Sequence, residues 1–243
     1  MKKIEVIDCS SSIVDFTARV IADYEDASGV LVVFPNVRPG YYLRKKILEF
    51  KKSEALLCEI DEFVKKFLLE KEVFESVARM DMVSMLYKNF YGEIAGLFSK
   101  DLSLDEFWGW GNIIINDFED LKINGVAPGE IKIYDFLIKD GIKPKKTVEL
   151  RDYERFSSLY GEFYEFLKSE KKYSRALMYE RFSKEIGGAD FNYEKMIFAG
   201  FFAFNSIEKK IFSSLRSLPS THFVFMAHEL LKEKISFLDP AIE

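Results

Sequence analysis

The segment Gly29 to Ile47, GVLVVFPNVRPGYYLRKKI, constrains the fold of this chain more than any other. The apolar run Val30 to Phe34 is too short and too β-branched for a free-standing helix, and Pro35 and Pro39 punctuate the loop after it. A buried strand followed by a loop and a basic helix is therefore expected. That strand delivers Asn36, Arg38 and the N-terminus of the next helix to one edge of a sheet, where open α/β sheets place their ligands.

The same alternation recurs on either side. Strand Ile4 to Ile7 leads to helix Ser12 to Tyr24, and strand Val30 to Phe34 leads to helix Gly40 to Phe50. Ala55 to Ile60 is a further strand candidate, followed by a helix opened by Asp61. Strands alternating with helices imply parallel pairing through right-handed crossovers. From there to about Gly187 the pattern is helical: Phe63, Phe67 and Leu68, then Val73, Val77, Met80, Val83, Leu86 and Phe90, recur at three and four. Gly125 to Gly129 and Gly141 to Lys145 break this block. Strand Lys195 to Ala199, helix Ser206 to Leu218 and strand Thr221 to Met226 then restore the first pattern. The expectation is an α/β domain, residues 1–70 and 188–243, whose parallel sheet is interrupted by a helical insertion, residues 71–187.

Length and composition narrow the function classes. With 243 residues the chain buries a substantial core, and 24 Phe within 16% aromatic content exclude disorder. No stretch of eighteen apolar residues is present, and Met1-Lys2-Lys3 runs straight into a strand, so the expectation is a soluble, cytoplasmic protein without a membrane partner. Cys9 and Cys58 lie far apart among apolar residues and read as reduced thiols. His222 and His228 have no cysteine nearby, which argues against zinc. A net charge of -5 argues against bulk attraction to nucleic acid, which requires local cation density. Such density occurs at Arg38, Arg44, Lys45, Lys46, Lys51 and Lys52, and again at Lys143, Lys145 and Lys146, although a solvated surface explains either cluster.

Four blocks carry a resemblance: VVFPNVRPGYYLRKKI from Val32, EIDEFV from Glu59, DEFWGWGNIIINDFEDL from Asp105 and IFAGFFAFNSIEKKIFSSL from Ile197. In order and spacing they resemble the N-terminal part of AddB-like helicase-nuclease proteins, whose bacterial members carry a PD-(D/E)XK nuclease domain at the far end. The resemblance implies a RecA-like (P-loop NTPase-like) motor domain of superfamily 1, interrupted by a helical subdomain. It also implies that the Pro-Asn-x-Arg-Pro-Gly loop touches single-stranded DNA. An active motor needs a glycine-rich loop ending in Gly-Lys-Ser or Gly-Lys-Thr after the first strand, whose N–H groups, lysine and hydroxyl hold phosphates and magnesium. Here that strand runs into Asp8-Cys9-Ser10-Ser11-Ser12, whose serines read as helix caps. Where the resembled pattern places an acidic residue before Gly-Phe, this chain has Phe198-Ala199-Gly200-Phe201, and alanine holds no magnesium. ATP turnover is not expected, nor is any cofactor, metal or catalytic residue.

The remaining candidates each have a plainer reading. Trp108 and Trp110 form a stacking platform for unpaired bases, or else Phe107, Trp110, Ile114 and Phe118 make a buried helix stripe. The spacing favours the stripe, which leaves Trp108 as the exposed contact. Asp117, Glu119 and Asp120 invite a metal-nuclease reading, but ligands within one turn fit a solvated helix end better. Arg181 reads as the partner of Glu185, four residues on. The DNA-contacting set is thus Asn36, Arg38, Arg44, Lys45 and Trp108. The expected function is a catalytically inactive helicase-like domain that binds DNA, single-stranded or a duplex end, or scaffolds a helicase-nuclease in double-strand break repair. Its partners would be a helicase or nuclease subunit or C-terminal domains. The alternative is a protein-interaction module without nucleic-acid contact.

Overall fold

The computed structural model describes residues 4–50, 54–98, 100–131, 150–187 and 189–226. The chain divides into two compact units, Met1–Lys71 with Arg181–Glu243, and Glu72–Glu180.

The first unit is α/β. Its strands are β1 (Ile4–Ile7), β2 (Val30–Phe34), β3 (Leu56–Glu59), β6 (Lys195–Phe201) and β7 (Thr221–Met226), and they form one sheet in the order β1-β7-β6-β2-β3. Every pairing is parallel. Strands β2 and β6, far apart in sequence, are neighbours in register Val30 to Lys195. The sheet is therefore complete only when both ends of the chain contribute.

Both faces of a parallel sheet are buried, so its strands read as continuous apolar runs in which alternate residues serve opposite faces. Helices α1 (Ile13–Ala22) and α2 (Arg38–Phe50) pack on one another, and Val20, Ile21, Leu43 and Ile47 share a core with Val30, Val32, Phe34, Ile197, Ala199 and Val224. The other face is aromatic. Phe198 packs 5.5 Å from Phe63 of α3 (Ile60–Leu69) and 5.6 Å from Phe212 on the helix between β6 and β7, while Phe223 lies 5.7 Å from Phe212.

Phe198 and Phe201 are three residues apart, which on a regular strand would put them on opposite faces. An extra residue, Gly200 at φ 83°, bulges out of the ladder between the pairs Ala199–Val224 and Phe201–Phe225. Phe201 thereby returns to the aromatic face, 4.8 Å from Phe212.

Helix α2 begins at Arg38, two residues before the expected start. Pro39 falls in the first turn, where its missing N–H is no loss and its fixed φ suits a helix. Strand β3 is Leu56–Glu59, and α3 follows it directly, with Asp61 in its first turn.

The second unit contains α4 (Arg79–Asn89), α5 (Tyr91–Phe98), α6 (Leu104–Ile123), a 3-10 turn at Pro128–Glu130, α7 (Leu150–Ser169) and the start of α8 (Arg175–Glu185). Its core joins Val83 and Leu86 to Phe107, Ile115, Phe118, Phe163, Tyr164 and Leu167. The helical reading of Val73 to Val77 is corrected by a short parallel pair, β4 (Glu75–Ser76) with β5 (Lys172–Tyr173). Phe74 and Val77, on either side of β4, are buried, whereas Val73 is exposed, as is Met80 on α4. The break at Gly125 is present, with φ 75° just past the end of α6. Helix α9 (Ser206–Ser217) of the first unit opens with a capping box between Asn205 and Glu208.

Candidate nucleic-acid interface

Because the five strands are parallel, the loops after β1, β2, β3 and β6 all leave the same end of the sheet. The loop after β1 spends its polar atoms on itself. Asp8 Oδ1 accepts the Ser10 N–H at 2.8 Å and the Ser10 hydroxyl at 2.5 Å, and Asp8 O accepts the Ser11 N–H at 2.9 Å. Ser12 Oγ accepts the Asp15 N–H at 3.2 Å, the capping role its position predicts. A phosphate cradle instead needs several backbone N–H groups aimed at a ligand.

The loop after β2 is open. Asn36, Val37 and Arg38 are exposed, and Asn36 Oδ1 accepts the Arg38 N–H at 3.2 Å, fixing the turn into α2. Along α2, Gly40, Leu43 and Ile47 face inward. Residues three and four apart share a helix face, so Arg38, Tyr41, Tyr42 and Lys45 line the outward one. Tyr41 and Tyr42 are 70% and 68% exposed. Among the described residues Arg38 and Lys45 make no ion pair. Arg44 Nε lies 3.4 Å from Glu54 Oε2, both half exposed, and an open pair of this kind holds its partners by no more than about 1 kcal/mol. Lys46 is drawn back onto α1, where it pairs with Asp15 and lowers that carboxyl below its usual range.

A shallow cleft of about 150 Å³ adjoins this loop, lined by Phe34, Asn36, Gly40, Arg44, Cys58 and Glu62. Glu59 and Glu62 make it a poor phosphate pocket, so any backbone contact belongs on the outer face of α2. Cys58 beside them is a free thiol pushed up to about 12, by burial first and Glu62 second. Such a thiol is not a nucleophile. Cys9 is free and exposed.

Strand β6 neighbours β2, and the residue that follows its last one, Phe202, is 72% exposed at the same end of the sheet. Ala199, where the resembled pattern has an acid, is fully buried. Tyr41, Tyr42 and Phe202 were not among the residues selected from sequence. The signal for the tyrosines is their spacing from Arg38, opposite Leu43 and Ile47.

Trp108 is a correction. It lies in the second unit, half-buried against that unit's core, whereas Trp110 is 53% exposed. The buried stripe of α6 runs through Phe107, Gly111, Ile114, Ile115 and Phe118, so its centre falls on Gly111 and not between Phe107 and Trp110. A glycine is invisible to a hydrophobic count. Its side chain is absent because α4 approaches closely: a Cβ there would sit 2.6 Å from Val83 Cγ1.

The acidic trio does not converge either. Asp117 and Asp120 are exposed, but Glu119 turns inward, where Oε1 accepts the Tyr164 hydroxyl at 2.6 Å and Oε2 accepts the Ala176 N–H at 3.0 Å. Glu119 is thus a pin between α6, α7 and the start of α8, not part of a solvated end. No cluster of three metal-ligating side chains occurs among the described residues. Arg181 Nε meets Glu185 Oε1 at 2.6 Å, as its spacing predicts. Lys51, Lys52, Lys143, Lys145, Lys146, His228 and the break at Gly141 to Lys145 lie outside the described residues. Among the described residues no helix is long and apolar enough to cross a membrane. No protein-family model and no curated protein matches this chain.

Proposed function

We propose that this chain is a catalytically silent, RecA-like helicase domain that binds DNA at the carboxyl end of its sheet, within the machinery of double-strand break repair. The observation that carries the reading is the outward face of α2, where Arg38 and Lys45 flank the exposed rings of Tyr41 and Tyr42 beside Asn36. Cations track a phosphate backbone without reading sequence, and aromatic faces stack unpaired bases of any identity. Rings this exposed add nothing to a core and are available for such stacking. An all-parallel sheet with helices on both faces and a helical unit entering after β3 supports the architecture that the AddB-like resemblance implies. The closed Asp8–Ser12 loop and the buried Ala199 support silence as a motor. Motor and nuclease work then belong to a helicase or nuclease partner or to further domains. Contact centres on α2, so it is local, salt-sensitive and independent of base sequence despite the net charge of -5.

The test is fluorescence anisotropy of a labelled duplex with a single-stranded tail, titrated at low and moderate salt. Saturable binding that weakens with salt and disappears in Arg38→Glu/Arg44→Glu/Lys45→Glu is expected. Absence of binding at low salt, or unchanged binding by the triple variant, would transfer the reading to a protein-interaction module.

A further inference from the structure

Helix α6 carries a second surface that the DNA reading does not use. Its face opposite the core, set by a turn of about 100° per residue, presents Glu106, Gly109, Trp110, Ile113, Asp117 and Asp120, all exposed. Trp110 and Ile113 are 53% and 52% exposed, side by side one turn apart. The Trp110 ring packs against Phe98, centroids 5.5 Å apart, so one side of the indole is already positioned. An aromatic that already rests on a neighbour loses less entropy when a partner covers it than one free in solvent.

Gly109 sits beside it, and nothing lies within 4 Å of the position its Cβ would occupy. A mid-helix glycine costs about 1 kcal/mol relative to alanine. At Gly111 packing against Val83 explains that cost, but at Gly109 nothing inside the molecule does. What the missing side chain provides is room for close approach from outside.

The charges that α6 itself sets around this apolar centre are carboxylates. Asp105 and Glu106 stand on one side along the axis, Asp117 and Asp120 on the other. Lys122, near the end of the helix, is turned away onto Glu180 at 3.0 Å, while Lys100 lies near Glu106. Burial and the neighbouring Asp120 charge hold the Asp117 carboxyl above its usual range, a strain that a facing cation relieves. A second copy meeting this face through a two-fold axis would bring like carboxylates together.

We propose that the outward face of α6 docks a basic amphipathic helix of a partner protein, with Trp110 and Ile113 as apolar anchors, Gly109 as the point of closest approach, and Asp117 and Asp120 opposite its cations. Helix against helix suits a ridge of this shape, and an apolar centre with a charged rim is the form of a protein-binding patch. The inference stands independently of DNA binding.

The experiment uses the whole chain carrying Trp108→Phe, which leaves Trp110 as the single tryptophan reporter. The probes are a leucine-lysine amphipathic helical peptide and its leucine-glutamate counterpart. The lysine peptide is expected to give a saturable blue shift of Trp110 emission, and the glutamate peptide none. Ile113→Glu and, separately, Asp117→Lys/Asp120→Lys each weaken binding by at least about tenfold. A control reversal on the other unit, Glu25→Lys/Glu49→Lys, leaves binding unchanged. Thermal unfolding of each variant reports that the fold is intact, and anisotropy of labelled peptide against the unsubstituted chain covers the case in which Trp108→Phe misfolds. Equal binding of both peptides, loss with the control reversal, or no shift at all overturns the proposal. A concentration-dependent blue shift of the protein alone, with a dimer in sedimentation, overturns it in favour of a second copy.

Discussion

At the carboxyl end of the sheet Asn36, Arg38, Tyr41 and Phe202 stand in solvent, whereas at the amino end Thr221 and His222 are wholly buried. Among the described residues Thr221 Oγ1 and both His222 ring nitrogens have no hydrogen-bond partner, although Glu5 Oε1 lies 2.8 Å from Nε2 in a geometry that does not make one. One end leaves polar and aromatic groups available, and the other confines polar groups at a cost to stability. The same parallel strands supply both, and the connections, Pro35 to Val37 after β2 and Leu218 to Ser220 before β7, are equally short, so the division arises from where the polar side chains sit: in the turn beyond the strand at one end, within the strand itself at the other. In a sheet of this kind, recognition and stability separate along the strand axis.

The largest effect that would break this comparison is at the recognition end. Tyr41→Ala/Tyr42→Ala should reduce affinity for a single-stranded tail by roughly a hundredfold, at about 1–3 kcal/mol per stacked base, and affinity for a blunt duplex far less. Equal losses on both probes, measured by anisotropy, would mean that the rings do not stack on bases. Neither loss should be accompanied by a change in the urea midpoint.

The amino end should answer to pH instead. Burial first, then the Lys195 charge, holds the His222 imidazole down at about 4 against an ordinary 6.5, and this outweighs the nearby Glu5 carboxylate. The unfolded chain therefore takes up the proton more readily. Stability from this residue is complete above about pH 6.5, falls as the pH drops, and has lost on the order of 2–3 kcal/mol by pH 4. Urea unfolding at pH 7.5 and 4.5 should show that loss in the parent chain and a shallower one in His222→Phe. Parallel pH slopes in the two would remove His222 from the account, and DNA affinity at pH 7.5 should be the same in both.

The smallest effect sharpens the comparison from within the recognition end. Gly200→Ala places a side chain at φ 83°, where Ile13 Cγ1 at 3.6 Å leaves ordinary room, so the cost is conformational and about 1–2 kcal/mol. An unchanged urea midpoint would show that the bulge relaxes without strain. Because the bulge sets where β6 ends and Phe202 begins, binding to the tailed duplex should fall only a few-fold.

Much of the α/β framework was legible because its signals are dense. Val30–Phe34 and Thr221–Met226 are apolar runs bounded by turn residues, and both strands match the bounds read from sequence. The β4–β5 pair was not legible, since two-residue strands carry no period and depend on contact across the fold. At the candidate site the cations of α2 were visible as a cluster, but Tyr41 and Tyr42 look like core material until Gly40 and Leu43 are seen to take the inner face. Trp108 and Trp110 exchanged roles because the stripe is centred on a glycine. Glu119 was grouped with Asp117 and Asp120 by type, yet its direction is set by Tyr164 and the Ala176 N–H, which no local pattern announces.

The pairing of β2 with β6 has a consequence for how the protein is made. As the chain leaves the ribosome, β1, β2 and β3 emerge early, but the strand that belongs between β2 and β7 appears only after the whole helical unit has been synthesised. At roughly 5–20 residues per second that delay is on the order of ten seconds. Throughout it the VLVVF strand lacks one of its two neighbours and presents an open, β-branched edge of the kind that recruits other chains. Yield during synthesis should therefore depend on how quickly that edge is sheltered, a vulnerability created by where the insertion interrupts the sheet and not by the stability of either unit.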